Sequence, residues 1–241
     1  MRDEQWWKIL SAIKREKDLN GDNIIEKIKE KLKAEGGDEY KKWKGAGFDV
    51  NYLFQVVFLD RENGQTLLHL AARDARTEIV RALLKVKRID VNIVVEEGWT
   101  PLHLAAKNGQ VEIVSTLVER KANVNAIAKD GNTPLHDAAI LGHIEVVKAL
   151  LANGADSLLK DKHGRTPRDL LKNESGITPG DLLEDEYSIP IDLAANDIEN
   201  LLKEAEEKQL KQQATTRSFI ANCIIKHCCC SGTFRNRDGC S

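Results

Sequence analysis

Residues 98–106, Gly98-Trp99-Thr100-Pro101-Leu102-His103-Leu104-Ala105-Ala106 (GWTPLHLAA), decide how the whole chain is read. Close echoes stand at 65–72 (QTLLHLAA) and 132–139 (NTPLHDAA), so His69, His103 and His136 recur at matching places. Matched histidines suit two opposite roles: metal or catalytic chemistry, or local fastening of the chain. The register of the echo separates them. Gly64, Gly98, Gly131 and Gly164 precede related stretches at spacings of 34, 33 and 33 residues. Thr66, Thr100, Thr133 and Thr166 keep that register, as do Ala71-Ala72, Ala105-Ala106 and Ala138-Ala139. A second row follows at TEIVRALL (77–84), VEIVSTLV (111–118) and IEVVKALL (144–151), and Asp90-Val91-Asn92 and Asn123-Val124-Asn125 close two of the units. So many coincident columns mean a repeat architecture, in which each unit can bury its apolar face only against its neighbours.

Each unit reads as two short helices. Thr100 is a good N-cap, and Pro101 suits the first helical position, where a missing N–H costs nothing. Ala105 and Ala106 are small enough to let neighbouring helices approach closely. Gly109 and Gly142 sit where the first helix must stop in a left-handed conformation. Ile113, Val114, Leu117 and Val118 form the apolar stripe of a half-buried second helix.

These residues resemble the ankyrin repeat family, with its T-P-L-H-x-A signature and 33-residue period. The resemblance covers about 62–172, and Gly45-Ala46-Gly47-Phe48-Asp49-Val50-Asn51 looks like the end of an earlier, divergent repeat. It implies an all-α ankyrin-repeat solenoid of stacked helix–turn–helix units joined by β-hairpin loops. It also implies that the TPLH histidine is structural, its ring tying the helix start to the neighbouring loop. Stacked helices repeat about every 10 Å, whereas zinc ligands sit about 2 Å from their ion, so the three histidines cannot share one metal. The units are not uniform. Leu67 replaces the proline of the first clear unit, Ala75 and Lys121 stand where glycine stands elsewhere, and the fourth unit reads Thr166-Pro167-Arg168-Asp169 with no histidine.

The expected domain plan is a helical N-terminal cap at 1–44, then repeats at 45–172. Within the array a divergent unit precedes 62–95, 96–128, 129–161 and a partial 162–172; a degenerate repeat or C-terminal cap follows at 173–210, and a disordered cysteine-rich tail at 211–241. In the cap, Trp6, Ile9, Leu10 and Ile13 form one stripe. Asn23 and Glu26 resemble a capping box opening a helix through Ile24, Ile28 and Leu32. A third short helix carries Tyr40 and Trp43. A docking helix anchored by Trp6 and Trp7 is the alternative to a cap. The apolar stretch 53–60 (LFQVVFLD) is read as packing on the N-terminal helices, with an open hairpin finger as the alternative.

The chain has 241 residues, 41% of them hydrophobic, 31% charged, and a net charge of −2, so no overall field recruits nucleic acid. Lys27, Lys29, Lys31 and Lys33 interleave with Glu26 and Glu30 and read as a solvated face. The cysteines are Cys223, Cys228, Cys229, Cys230 and Cys240, leaving none for a disulfide framework in the body. That usage suits a reducing compartment, and the start of the chain lacks a signal-peptide core, so a cytoplasmic location is expected. The tail is read as inert; S-acylation of Cys228, Cys229 and Cys230, beside Phe219, Ile224, Lys226 and Arg217, with membrane tethering, and a metal or redox role are the alternatives.

No phosphate loop, dinucleotide fingerprint, zinc-protease or nucleophile-elbow motif occurs. The function expected is therefore non-catalytic, cofactor-free binding of another protein, by a chain acting as a monomer. The family's binding positions flank the loop glycine and follow the Ala-Ala pair. Here they are Glu62, Asn63, Gln65, Arg73 and Asp74, then Glu96, Glu97, Trp99, Lys107 and Asn108. The next rows give Lys129, Asp130, Asn132, Ile140 and Leu141, then Lys162, His163 and Arg165. Trp99, Ile140 and Leu141 are apolar on an otherwise polar face, which marks them as hot-spot candidates. The N-terminal helices together with the repeats look similar to ankyrin proteins of intracellular bacterial symbionts, which implies secretion into a host cell as an alternative location.

Overall fold

The computed structural model describes residues 3–16, 18–35, 37–58, 61–171 and 191–230. Three helices come first: α1 (Asp3–Lys14), α2 (Ile24–Glu35) and α3 (Gly37–Gly45). An antiparallel hairpin follows, β1 (Phe54–Phe58) paired with β2 (Arg61–Gln65), with Phe54 opposite Gln65. Three helix pairs then stack in order: α4 (Leu67–Arg73) with α5 (Thr77–Leu83), α6 (Pro101–Lys107) with α7 (Val111–Glu119), and α8 (Pro134–Ile140) with α9 (Ile144–Ala152). A 3₁₀ turn at Asp169–Leu171 and a long helix, α10 (Ile191–Cys230), complete the described chain. One hydrophobic cluster runs without a break from Trp6 to Leu202, because every pair lends its apolar side to the next.

The first helix of each pair starts where the sequence places it. Thr66, Thr100 and Thr133 are extended N-caps, and Pro101 and Pro134 open α6 and α8. α4 begins at Leu67 without proline, since the Thr66 hydroxyl still accepts from the His69 N–H (3.3 Å). In the fourth unit Asp169 takes the histidine's place, accepting from the Thr166 N–H and hydroxyl at 2.9 Å each. Only a 3₁₀ turn forms there.

The turns explain the glycines and their replacements. Between paired helices Gly109 and Gly142 adopt φ of +67° and +74°, while Ala75 is held at +53°. After the second helices Gly154 has φ +84°, while Lys121 and Arg88 sit at +68°. A side chain in the left-handed region costs about 1–2 kcal/mol, and glycine's extra freedom in the unfolded chain returns part of that. Ala75→Gly and Lys121→Gly are therefore each expected to raise stability by about 0.5–1 kcal/mol in urea unfolding. A loss in either variant would contradict the strain argument.

Neighbouring units are also joined by a ladder of asparagines. The Asn51 amide donates to the Arg88 carbonyl (2.8 Å) and its oxygen accepts from the Asp90 N–H (2.8 Å). Asn92 does the same with Lys121 and Asn123, and Asn125 with Gly154 and Asp156. Because Asn51 fills the same post as Asn92 and Asn125, the segment ending at Asn51 is built as the close of a repeat.

The N-terminal helices share the core. Trp6, Ile9, Leu10 and Ile13 of α1 and Ile24, Ile28 and Leu32 of α2 are fully buried, and Arg76 of α5 donates to the Ser11 hydroxyl (2.6 Å). Trp6 is thus unavailable as a docking anchor; Trp7 alone of the two is exposed, with the Arg76 guanidinium 5.3 Å from its ring. The Asn23–Glu26 capping box does not form. Asn23 and Asn20 exchange side-chain-to-backbone bonds within the loop, and Glu26 pairs with Lys29 (2.6 Å) instead. The apolar 53–60 insert lengthens the hairpin: Phe54 at its base is buried among the aromatic rings of the cap, while Leu53 is exposed. Phe54 packs on the cap, while the side chains of residues 56–60 lie outside the described residues.

At the other end, α10 closes the stack. Ile198 and Leu202 are fully buried, Arg168 bridges Glu199 and Glu206, and the Gln209 side chain bonds Ser157 and Ala155. The helix continues through Cys230, which corrects the expectation of a disordered chain from 211 onward for residues 211–230. Its continuity follows from the composition of residues 203–216, rich in Glu, Lys, Gln and Ala, all good helix formers. Residues 172–190 and 231–241, the latter holding Cys240, lie outside the described residues.

Candidate partner-binding face

The geometry of the three histidines settles what they do. The Thr100 hydroxyl lies 2.9 Å from His103 Nδ1 and the Thr100 N–H donates to the same atom (3.2 Å). Nε2 lies 3.3 Å from the Asn132 carbonyl of the next unit. A carbonyl only accepts, so Nε2 carries the proton and Nδ1 offers its lone pair. His69 repeats this with Thr66 (2.8 Å) and the Trp99 carbonyl (3.1 Å), and His136 with Thr133 (2.9 Å) and the Arg165 carbonyl (3.2 Å). Both ring nitrogens are consumed, and burial pushes His69 and His103 down to about 4, against the opposing pull of their carbonyl partners. Burial lowers His136 as well. Neutral, buried and doubly bonded, these rings fasten one unit to the next. Among the described residues no group of three His, Cys, Asp or Glu could hold a metal ion.

The loop tips between units form a second set of ties. The Lys129 N–H donates to the Glu97 carbonyl (2.8 Å) and the Lys162 N–H to the Asp130 carbonyl (3.0 Å). Gly98 and Gly131 make this approach feasible. A Cβ on Gly131 would stand 2.5 Å from the Lys162 nitrogen, and φ there is +86°.

Within this frame the sequence-predicted face divides. Several residues are committed internally. Arg73 bonds Asp74 (2.8 Å) and Gln65 (3.3 Å), the Asn108 amide donates to the Arg73 carbonyl (3.2 Å), and Arg165 pairs with the buried carboxylate of Asp161 (2.7 Å). Glu96, Lys129, Lys162 and His163 are exposed at the tips, and Glu97, Ile140 and Leu141 are half-buried. The side chains of Glu62 and Asn63, and of Cys228, Cys229 and Cys230 on α10, lie outside the described residues.

Two of the predicted positions meet. Lys107, at the end of α6, places its ammonium 4.3 Å from the centre of the Trp99 ring, which is half-buried at the foot of its loop. A cation over an indole face is attracted by the ring's quadrupole. One unit on, Asn132 donates to Asp130 through its amide (3.0 Å) and its backbone N–H (2.9 Å). Both groups act electrostatically on a residue absent from the sequence-predicted face, Asp137. It stands on α8 in the column filled by Leu70 and Leu104, and is 7% exposed. Burial pushes its carboxyl up to about 7 and the Asp130 carboxylate adds to the rise, while Lys107 and the Asn132 amide pull the other way. Its Oδ2 has no hydrogen-bond partner. The signal in the sequence was the single change from LHLAA to LHDAA.

Val94 and Ile127, one repeat period apart, are also exposed large apolar residues, at 53% and 60%, and were not singled out by the repeat alignment. Among the described residues no helix is long and apolar enough to cross a membrane.

These features define the class: a helical solenoid of stacked helix pairs joined by loops. The sequence pattern described as ankyrin repeats (3 copies) matches residues 46–128 and, in an overlapping placement, 68–161. The chain belongs to the ankyrin repeat family through this array. A search of curated proteins gave no match. Ankyrin repeats generally mediate protein–protein interaction, and proteins built from them are typically non-enzymatic scaffolds.

Proposed function

We propose that this protein is a non-catalytic scaffold that binds a partner protein across the loops and first helices of its repeats, with Trp99 as the anchor. The observation that carries the reading is the half-buried indole of Trp99 under the Lys107 ammonium. The pair is ringed by positions the family uses for binding. A large aromatic in such a setting contributes far more to affinity than the polar rim around it. Half-buried Ile140 and Leu141 at the end of α8 extend the apolar part of the face. Residues 1–44 and the α10 turns from Ile198 to Gln209 act as caps over the two apolar ends of the stack. The protein works as a monomer in the cytoplasm of the cell that makes it, or of a host cell to which it is delivered. The cysteines of α10 supply a membrane tether if acylated.

The test is a paired variant. Trp99→Ala with Leu141→Arg is expected to keep the circular dichroism and the unfolding midpoint within about 1 kcal/mol. Capture of partners by the immobilised full chain is expected to fall at least about tenfold, since hot-spot truncations cost about 2 kcal/mol or more. Equal capture by parent and variant refutes this surface.

A further inference from the structure

Asp137 is a liability in the free protein. Its unit-to-unit counterparts, Leu70 and Leu104, are apolar and buried, at 0% and 5% exposure. In their place stands a carboxyl that is equally buried and has one oxygen unpaired. A buried acceptor without a donor costs the full desolvation of that group. Leucine at the same post would cost nothing of the kind. A second carboxylate, Asp130, acts on it from the neighbouring loop, and the cation that acts on it is Lys107. Lys107 is exposed, its ammonium lies over the Trp99 ring, and the pair makes no hydrogen-bonded ion pair with Asp137. Here the cation that acts on Asp137 is held over an aromatic face and makes no hydrogen bond to its carboxyl. A cation brought from outside would complete the set.

We propose that Asp137, with Asp130, is a seat for the cationic end of an arginine or lysine side chain of the partner, beside the Trp99 anchor. This rests on the scaffold reading above and gives the partner's chemistry: a segment with a basic residue set next to an apolar one. The arriving cation donates charge-assisted hydrogen bonds to the Asp137 carboxylate and to Asp130, the strong class of such bonds. Lys107 swings off the indole into solvent, which leaves the ring face open to the apolar neighbour or to the cation's own stem.

The probe is a phage-displayed random peptide library panned against the full chain, with the selected peptides then synthesised for calorimetry. Peptides that need Trp99 are expected to share one arginine or lysine. Replacing that residue with glutamine should weaken binding at least about tenfold, roughly the 1.4 kcal/mol of one charge-assisted bond. Asp137→Leu should produce the same loss for the parent peptide and almost none for its glutamine version, so the two changes do not add. The leucine variant should fold, because Leu70 and Leu104 occupy the matching posts; Asp137→Asn, which keeps the shape and loses the charge, checks it. Peptides lost on Trp99→Ala but indifferent to both the basic residue and Asp137 overturn the cation seat and leave the scaffold standing. Peptides indifferent to Trp99, Leu141 and Asp137 alike, or no enrichment on the parent over Asp137→Leu, overturn the seat, and indifference to Trp99 and Leu141 overturns the scaffold surface with it.

Discussion

Acidification from pH 7 to pH 4 is expected to weaken this array through its histidines, and Asp137→Leu is expected to steepen the loss. His69 and His103 titrate near 6.5 when unfolded and near 4 in the fold, because burial and a donor at Nδ1 leave no place for a second proton. A depressed folded value means stability that is present above 6.5 and drains as the pH falls towards 4. At about 1.4 kcal/mol per pH unit, each ring forfeits about 3 kcal/mol over that window. Two rings forfeit about 6 kcal/mol, comparable to the whole stability of many domains. His136 shifts in the same direction; Asp161 is also lowered, its burial outweighed by hydrogen bonds from Arg165 and His163, but its loss falls below pH 3.8 and outside this window. Asp137 runs the other way. Its carboxyl is raised from 3.8 to about 7, so the fold holds a proton there that the unfolded chain releases above 3.8. Acidification from 7 to 4 therefore returns about 3 kcal/mol at that one position. The parent should thus lose only about half of what the histidines cost, whereas Asp137→Leu should be more stable at pH 8 and converge on the parent by pH 4. Urea midpoints across pH 4–8 decide it. A flat profile, or parallel curves for parent and variant, would mean that these groups are not buried in the way described.

How far the sequence anticipates all this depends on the range over which each signal acts. The helix pairs and their caps are legible because they follow from nearby residues repeated at a fixed period, and the fastening role of the histidines follows from the resemblance of that repeat to the ankyrin family. The asparagine ladder was half legible: Asn51, Asn92 and Asn125 stand out as columns, but their bonds reach across 29 to 39 residues. The burial of Trp6 against Phe54 was reachable only as one of two alternatives, because no local pattern says which helix face meets a distant strand. The capping box at Asn23 failed for a local reason: Asn20 offered the same loop a competing partner. α10 was underestimated beyond 210, where a mixed charge pattern hid strong helix formers. Asp137 escaped because a repeat alignment draws the eye to what recurs. The residue that carries the further inference is the one that breaks its column.

Phe54→Ala should be the most damaging single truncation in the N-terminal half. Phe54 is fully buried and meets three rings edge-on: Trp6 at 4.7 Å, Tyr52 at 4.9 Å and Trp43 at 5.3 Å between centroids. It is also the base of β1, opposite Gln65, one residue before the cap of α4. One side chain therefore joins α1, α3 and the hairpin. Truncating a buried phenylalanine costs about 3–5 kcal/mol, and the rigid rings around it cannot collapse into the space. In a linear stack that loss is local, since each unit contacts only its neighbours. The expected result is two unfolding transitions in place of one. The first, at low urea, would be followed by Trp6 and Trp43 in a Trp7→Phe, Trp99→Phe background; the second would be followed by Trp99 with the other three indoles replaced. Limited proteolysis should cut the variant between Gly45 and Thr66 while α6 to α9 survive. A single transition displaced by less than about 1 kcal/mol would show that the cap leans on α5 through Arg76 and Ser11 and not on the aromatic cluster. A single transition displaced by the full amount would show that the array has no independent stability once its N-terminal face is uncovered.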